Sequence, residues 1–232
     1  MAKNMTQGNI FKCLLQFTIP LIMRGLLQQL YGWVDAFIVG RIVGEVALGG
    51  VGATGMISNF FIMALTGFTA GLSILAAHHY GRNEMEPIRG LLSSFTMVLA
   101  VVSAVIAAIC IWQTETILAR MNTPAELFDM SRDYLMVIFA GVPCLALYNV
   151  YSGILRGMGD SKAPFWSIVV SAVTNVVLDL VFVAGFHWGV TGAAVATVAA
   201  QLMMVVFIVW YTISRYPTLR FTPGPGAMDR EC

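Results

Sequence analysis

The sequence predicts an all-α membrane protein whose helices cross the bilayer repeatedly, and three observations predict it. Hydrophobic residues make up 58% of the 232-residue chain, charged residues 11%, and the mean hydropathy is +0.80. Values of that kind exclude a soluble globular domain. The apolar residues gather into six runs, each meeting the roughly 20 residues needed to cross about 30 Å of hydrocarbon. The basic residues, in turn, collect on one side of those runs. A net charge of +1 with no basic block gives no support to a nucleic-acid partner.

The first run covers residues 14–39 and follows a polar N-terminus. That polar stretch and the span behind it are both too long for a cleaved signal peptide. Within the run, Pro20 to Val39 reads PLIMRGLLQQLYGWVDAFIV. Arg24, Gln28, Tyr31 and Asp35 recur at i, i+4, i+7 and i+11, which places them on one stripe of a helix. A charge at mid-membrane costs at least about 2.5–3.5 kcal/mol, so such a stripe faces protein or water rather than lipid. No role is assigned to Arg24.

The second run, 51–78, carries Gly67 and Gly71 as GxxxG, with Gly52 and Gly55 near its start, and close helix packing is the predicted reason. His78 and His79 end it; adjacent residues point to different helix faces and make a poor metal pair. The third run, 91–112, is Val-, Ala- and Ile-rich and reads as a lipid-facing or packing helix. The fourth covers 134–155, the fifth 164–186 and the sixth 190–213. The short connection GFHWGVTG predicts that the last two form an antiparallel pair, with His187 and Trp188 as interface anchors. Residues 214–232 form a polar tail whose Pro/Gly-rich end, FTPGPGAMDREC, reads as disordered linker. Cys13, Cys110, Cys144 and Cys232 lack metal or redox spacing and read as small helix residues.

With the N-terminus inside, the inner segments hold Lys3, Lys12, Arg82, Arg89, Arg156, Lys162, Arg215, Arg220 and Arg230. The outer segments hold Arg41, Arg120 and Arg132. The imbalance places both termini in the cytoplasm.

Orientation allows depths to be compared. Only Asp35 and Asp179, of the twelve acidic residues, lie well inside spans. Asp179 continues a stripe with Ser171 and Asn175, and the sixth span adds Thr197 and Gln201 one turn apart. Counting from the outer ends brings Asp35, Asp179 and Thr197 to comparable heights in the outer half. Tyr134, at the outer start of the fourth span, caps the same pocket in this reading, while Asn149 lies deeper. Two carboxyls sharing one low-dielectric cavity titrate as a pair, which suits reversible ion uptake. The bland alternative is that each merely hydrogen-bonds a neighbouring helix. Gly157-Met158-Gly159-Asp160 spells the GxGD of intramembrane aspartyl proteases, but Asp160 falls in a cytoplasmic turn and Val34, not Tyr, precedes Asp35. Ordinary turn chemistry is the prediction for Asp160.

These stretches resemble a known family. IPLIMRGLLQQLYGWVDAFIVGRIVG, YLMVIFAGVPCLALYNVYSGILRGMGDSKAP and NVVLDLVFVAGFHWGVTGAAVAT are similar to the multidrug and toxic compound extrusion (MATE) transporters, DinF-type branch. The resemblance covers nearly all of residues 10–213. It implies a twelve-helix protein in two six-helix lobes, of which residues 1–213 are the N-terminal lobe and 214–232 the start of an inter-lobe linker. It implies cation-driven export of amphipathic, often cationic drugs from the cytoplasmic membrane, with H+ or Na+ as coupling ion and no other cofactor. In the resemblance Asp35, Asn175, Asp179 and Thr197 match the cation site, where Na+ has its place at Asp35 and Asp179. Tyr134 and Asn149 match polar cavity positions, beside Gln28 and Tyr31 of the first stripe, and Pro20 matches a proline linked to helix bending. No catalytic residue is implied. The implied partners are the bilayer, the drug, and a missing C-terminal lobe or second copy of the chain. Two other readings use the same helices: a lipid-precursor flippase, which calls for more basic cavity residues than Arg24, and a non-transporting membrane module.

Overall fold

The computed structural model describes residues 10–219, and every regular element among them is helical. The elements are α1 (Ile10–Ile42), α2 (Glu45–Gly81), α3 (Met85–Trp112), α4 (Thr114–Arg120), α5 (Ala125–Gly157), α6 (Lys162–Asp179) and α7 (Gly189–Arg215). A π turn, Leu180–Gly185, extends α6, and a 3-10 turn, Pro217–Leu219, follows α7. Of the predicted tail, residues 214–232, the start is ordered instead: it ends α7 and forms the 3-10 turn, with Tyr216 and Leu219 buried. The part from residue 220 on and residues 1–9 lie outside the described residues.

Among the described residues, five helical stretches are long and apolar enough to cross a membrane by length and composition: Asn59–Gly81, Met85–Trp112, Ala125–Gly157, Lys162–Gly185 and Gly189–Arg215. The 33-residue α1 is not among the five. Arg24, Gln28, Gln29 and Asp35 dilute its hydropathy, and its apolar residues stand on another face, with Ile22, Leu26, Leu30, Trp33 and Phe37 exposed.

Helix α5 is the centre. Residues Tyr148 to Leu155 are buried without a break, which a helix achieves only when neighbours surround it. It packs against α2, α3 and α7, while α6 packs between α7 and α1. The largest core joins Leu72, Ile88, Leu92, Tyr148, Ile154 and Ile208 from α2, α3, α5 and α7. Burying a side chain of that size contributes about 1.5–3 kcal/mol where it leaves water, and packing supplies the rest inside a membrane. A smaller cluster, with Ile38, Val39, Tyr134, Val183, Val190 and Ala194, ties the ends of α1, α6 and α7 to the start of α5.

Three features differ from the sequence reading. The fourth span does not begin its helix at residue 134 but at Ala125, because the charged segment Ala125–Asp133 continues the helix beyond the apolar run. A short helix, α4, precedes it, and Arg132 reaches Glu115 of α4 at 3.5 Å. The third difference concerns Gly67 and Gly71. A Cβ built on either meets nothing within 4 Å among the described residues, so close packing does not explain them. The close approach of α2 to α5 runs through Gly153 and Gly157 of α5 instead. A Cβ on Gly153 would stand 3.2 Å from the Thr69 carbonyl oxygen, and one on Gly157 would collide with that of Ser73. The GxxxG logic holds, but on the partner helix.

Candidate functional site

Each carboxyl is placed by its helix. The stripe of α1 turns Asp35 inward and leaves it 8% exposed; the last α turn of α6 buries Asp179 completely. The backbone widens into the π turn one residue later, at Leu180. Such widenings occur often at functional sites. α1 and α6 pack side by side, so the two carboxyls come within electrostatic reach of each other. A carboxyl–carboxyl hydrogen bond forms when one of the pair holds a proton, since an ionised carboxylate only accepts.

The surrounding groups leave the pair unsatisfied. Asp35 Oδ1, both oxygens of Asp179 and Asn175 Oδ1 are buried and accept no N–H or O–H among the described residues. Buried oxygens of this kind are ordinarily satisfied, and a cluster of four needs an explanation. Asn175, also fully buried, directs its Nδ2 to Thr197 Oγ1 at 3.4 Å, which links α6 to α7. Tyr31 and Tyr134 lie within electrostatic reach of both carboxyls and complete the wall from α1 and α5. The structure therefore brings Asp35, Asp179, Asn175, Thr197, Tyr31 and Tyr134 into one neighbourhood.

Other predicted residues stand apart. Asn149 is buried but donates to the Leu145 carbonyl of its own helix at 2.8 Å. Gln28 is half-buried on α1. Helix α1 runs unbroken through Pro20, which cannot donate to the carbonyl one turn back. Arg24, unassigned from sequence, lies 5.5 Å from the ring centroid of Tyr148. An open groove of about 460 Å³ between α5 and α7 is walled by apolar residues such as Met136, Ala140, Cys144, Val198 and Leu202. None of Gln28, Tyr31, Tyr134 or Asn149 is among its lining residues.

Sequence reasoning missed the strongest polar network, at Asp160. Its Oδ1 accepts the backbone N–H of Lys162 at 3.1 Å and of Ala163 at 3.3 Å, which caps the start of α6. Its Oδ2 accepts the hydroxyls of Tyr211 at 3.1 Å and Tyr216 at 3.0 Å. Burial and the Asp160 carboxylate hold the Tyr216 hydroxyl above the ordinary phenol range, so it remains a donor. Asp160 thus does more than shape a turn: it fastens the α5–α6 turn to the end of α7. At the α2–α3 turn, the hydrogen bond from His79 holds Glu84 below the usual carboxylate range, and the pair, 2.8 Å apart, closes that turn.

The four oxygens around Asp35 and Asp179 are hard donors, suited to a proton or an alkali cation rather than a soft metal. Among the described residues no group of three or more His, Cys, Asp and Glu is placed to hold a metal ion.

Comparison with known proteins agrees with this architecture. The family model MatE matches residues 20–181. The chain is 32% identical over 232 residues to the probable multidrug resistance protein YoeA of Bacillus subtilis, covering 93% of this chain and 48% of that protein. It is 29% identical over 191 residues to the DNA damage-inducible protein F of Escherichia coli, covering 82% and 41%. A solved multidrug resistance MATE family transporter of the MOP superfamily, in its outward-facing conformation, superposes with a TM-score of 0.84 at 25% identity. That superposition covers 95% of this chain and 50% of the solved one. The chain spans about half the length of the curated relatives it matches. With the family model covering most of the chain and the helices superposing on a solved member, the chain belongs to the MATE family of membrane transporters.

Proposed function

We propose that the chain forms the N-terminal lobe of a cation-coupled antiporter that exports amphipathic, often cationic drugs and toxins through the plasma membrane. The observation that carries this reading is the Asp35–Asp179 pair, buried on adjacent helices, with Asp35 Oδ1 and both Asp179 oxygens lacking a donor among the described residues. A transporter coupled to an ion needs a site that exists in a loaded and an empty form. Two carboxyls in one dry pocket supply it, because removing one charge by proton or Na+ changes the repulsion between α1 and α6. Asn175 and Thr197 transmit that change to α7 in this reading, and Pro20 lets α1 bend because its ring removes one helix hydrogen bond. Both termini face the cytoplasm, as the distribution of Lys and Arg favours. The drug cavity is completed by a C-terminal lobe or by a second copy of the chain. The name of one relative reported above, the probable multidrug resistance protein YoeA of Bacillus subtilis, supports the substrate class.

The test is accumulation of a fluorescent lipophilic cation in efflux-deficient cells expressing the chain or its Asp35→Asn form. Reduced accumulation that disappears in Asp35→Asn is the expected result. Export left intact by Asp35→Asn contradicts the coupling role.

A further inference from the structure

A second charged cluster lies further along α1. Arg24 sits on the same stripe of α1 as Asp35, eleven residues earlier and therefore about 16 Å away along the axis. Its guanidinium stands over the ring of Tyr148, and the Tyr148 hydroxyl donates to the Pro164 carbonyl at 3.4 Å, which holds the ring in place. Arg156 belongs to the last turn of α5. A long basic side chain at the end of a membrane helix ordinarily extends outward to the interface. Arg156 turns back instead. Its Nη1 donates to Ser152 Oγ, one turn earlier, at 3.2 Å. Its Nη2 lies 4.0 Å from where a Cβ on Gly153 would stand, which places the folded guanidinium alongside the α5 backbone.

That direction brings Arg156 within electrostatic reach of Arg24, a like charge. Both residues are half-buried. Among the described residues neither has a carboxylate at ion-pair distance. Tyr148, Ser152 and Arg156 lie one turn apart on α5, so the guanidinium over Tyr148 and the one bonded to Ser152 share one stripe of that helix. Like charges in a partly dry site repel, and an anion between them stabilises the arrangement. The geometry also selects the anion. One guanidinium fork satisfies a planar carboxylate, whereas two forks meeting from different helices suit a tetrahedral oxyanion with acceptors on several sides.

We propose that Arg24 and Arg156, with Tyr148 and Ser152 beside them, form an anion site on the inner half of the lobe that takes a phosphate group. That group comes from a phospholipid headgroup of the inner leaflet or from a soluble phosphate. The site stands whether or not Asp35 and Asp179 couple transport, since the two clusters share no residue.

The test is thermal unfolding of the detergent-purified 232-residue chain, titrated with a short-chain phosphatidic acid, with inorganic phosphate, and with a phosphate-free lipid. A midpoint that rises with phosphatidic acid alone identifies a lipid headgroup; one that rises equally with inorganic phosphate identifies a soluble source. In either case Arg24→Gln and Arg156→Gln each weaken binding about tenfold or more, because a hydrogen bond to a charged group is lost. Arg82→Gln, on the exposed α2–α3 turn, leaves it unchanged. Arg24→Lys and Arg156→Lys keep the charge without the fork and serve where a Gln variant does not purify as one species; weakened binding is again expected. Binding unchanged in the Gln or Lys variants overturns the proposal. So does a wild-type midpoint that neither phosphate probe moves, because the guanidiniums would then find their counter-charge in protein.

Discussion

Asp160 accepts four hydrogen bonds from three parts of the chain, and each donor loses a partner if its carboxylate goes. Tyr211→Phe and Tyr216→Phe each remove one bond and are expected to lower stability by about 1–2 kcal/mol, since the acceptor keeps the others. Asp160→Ala removes all four and is expected to cost more than either, about 3 kcal/mol or above. Thermal unfolding of the purified variants checks the order. A Tyr216→Phe loss equal to that of Asp160→Ala would contradict the shared-acceptor picture. The network was illegible in the sequence because Tyr211 and Tyr216 stand 51 and 56 positions from Asp160, beyond any local pattern. The carboxyl pair was legible for the opposite reason. Asp35 and Asp179 break apolar runs at helical spacing, and a charge inside a membrane span stands out before any partner is known. The reach of Arg156 back toward Arg24 gave no such sign, as Arg156 reads as an ordinary basic residue at a helix end.

At the scale of the element, glycine position decides how closely helices approach. Gly157 faces the Ser73 carbonyl and Ala76 of α2, so even one methyl group must push backbone apart. Gly157→Ala is therefore expected to destabilise by about 1–3 kcal/mol. Gly67→Ala has open space and a helical backbone, and is expected to be neutral or stabilising by up to about 1 kcal/mol. Unfolding midpoints of the two variants, measured side by side, separate these outcomes; equal losses would contradict the packing described. The sequence shows GxxxG on α2 plainly, yet a motif of small residues states only that close approach is possible there. Which of two small-residue helices makes the contact depends on rotation about the axis, which neither sequence contains. Likewise the six apolar runs mark hydrocarbon, not helix ends. The polar start of α5 and the short α4 stayed hidden because a helix held by Arg132–Glu115 and by packing at its ends needs no apolar run.

At the scale of the whole molecule, the proposed orientation puts the α2–α3 turn in the cytoplasm and the α4–α5 connection outside. In a cysteine-free background, Asn122→Cys is expected to react with a membrane-impermeant thiol reagent in intact cells, and Asn83→Cys only after permeabilisation. The reverse pattern would contradict the charge-based orientation. The architecture that carries these ends is a central α5 sheathed by α2, α3 and α7, with α6 bridging α7 to α1. Within it Arg24 and Asp35 stand eleven residues apart on one stripe of α1, and the proposed orientation puts the carboxyls outward and the guanidiniums inward. The long apolar helices were readable from hydropathy alone. The sharing of space between the carboxyls was not, since it requires α1 and α6 to be neighbours although three long helices separate them in the chain.

That sharing is the central claim, and infrared difference spectroscopy of the purified chain during a pH titration tests it most directly. If Asp35 and Asp179 titrate as one unit, Asp35→Asn will alter the carboxyl band of Asp179, and Asp179→Asn that of Asp35. If each substitution removes only its own band and leaves the other unchanged, the two carboxyls are independent and the coupling site described for this lobe does not exist.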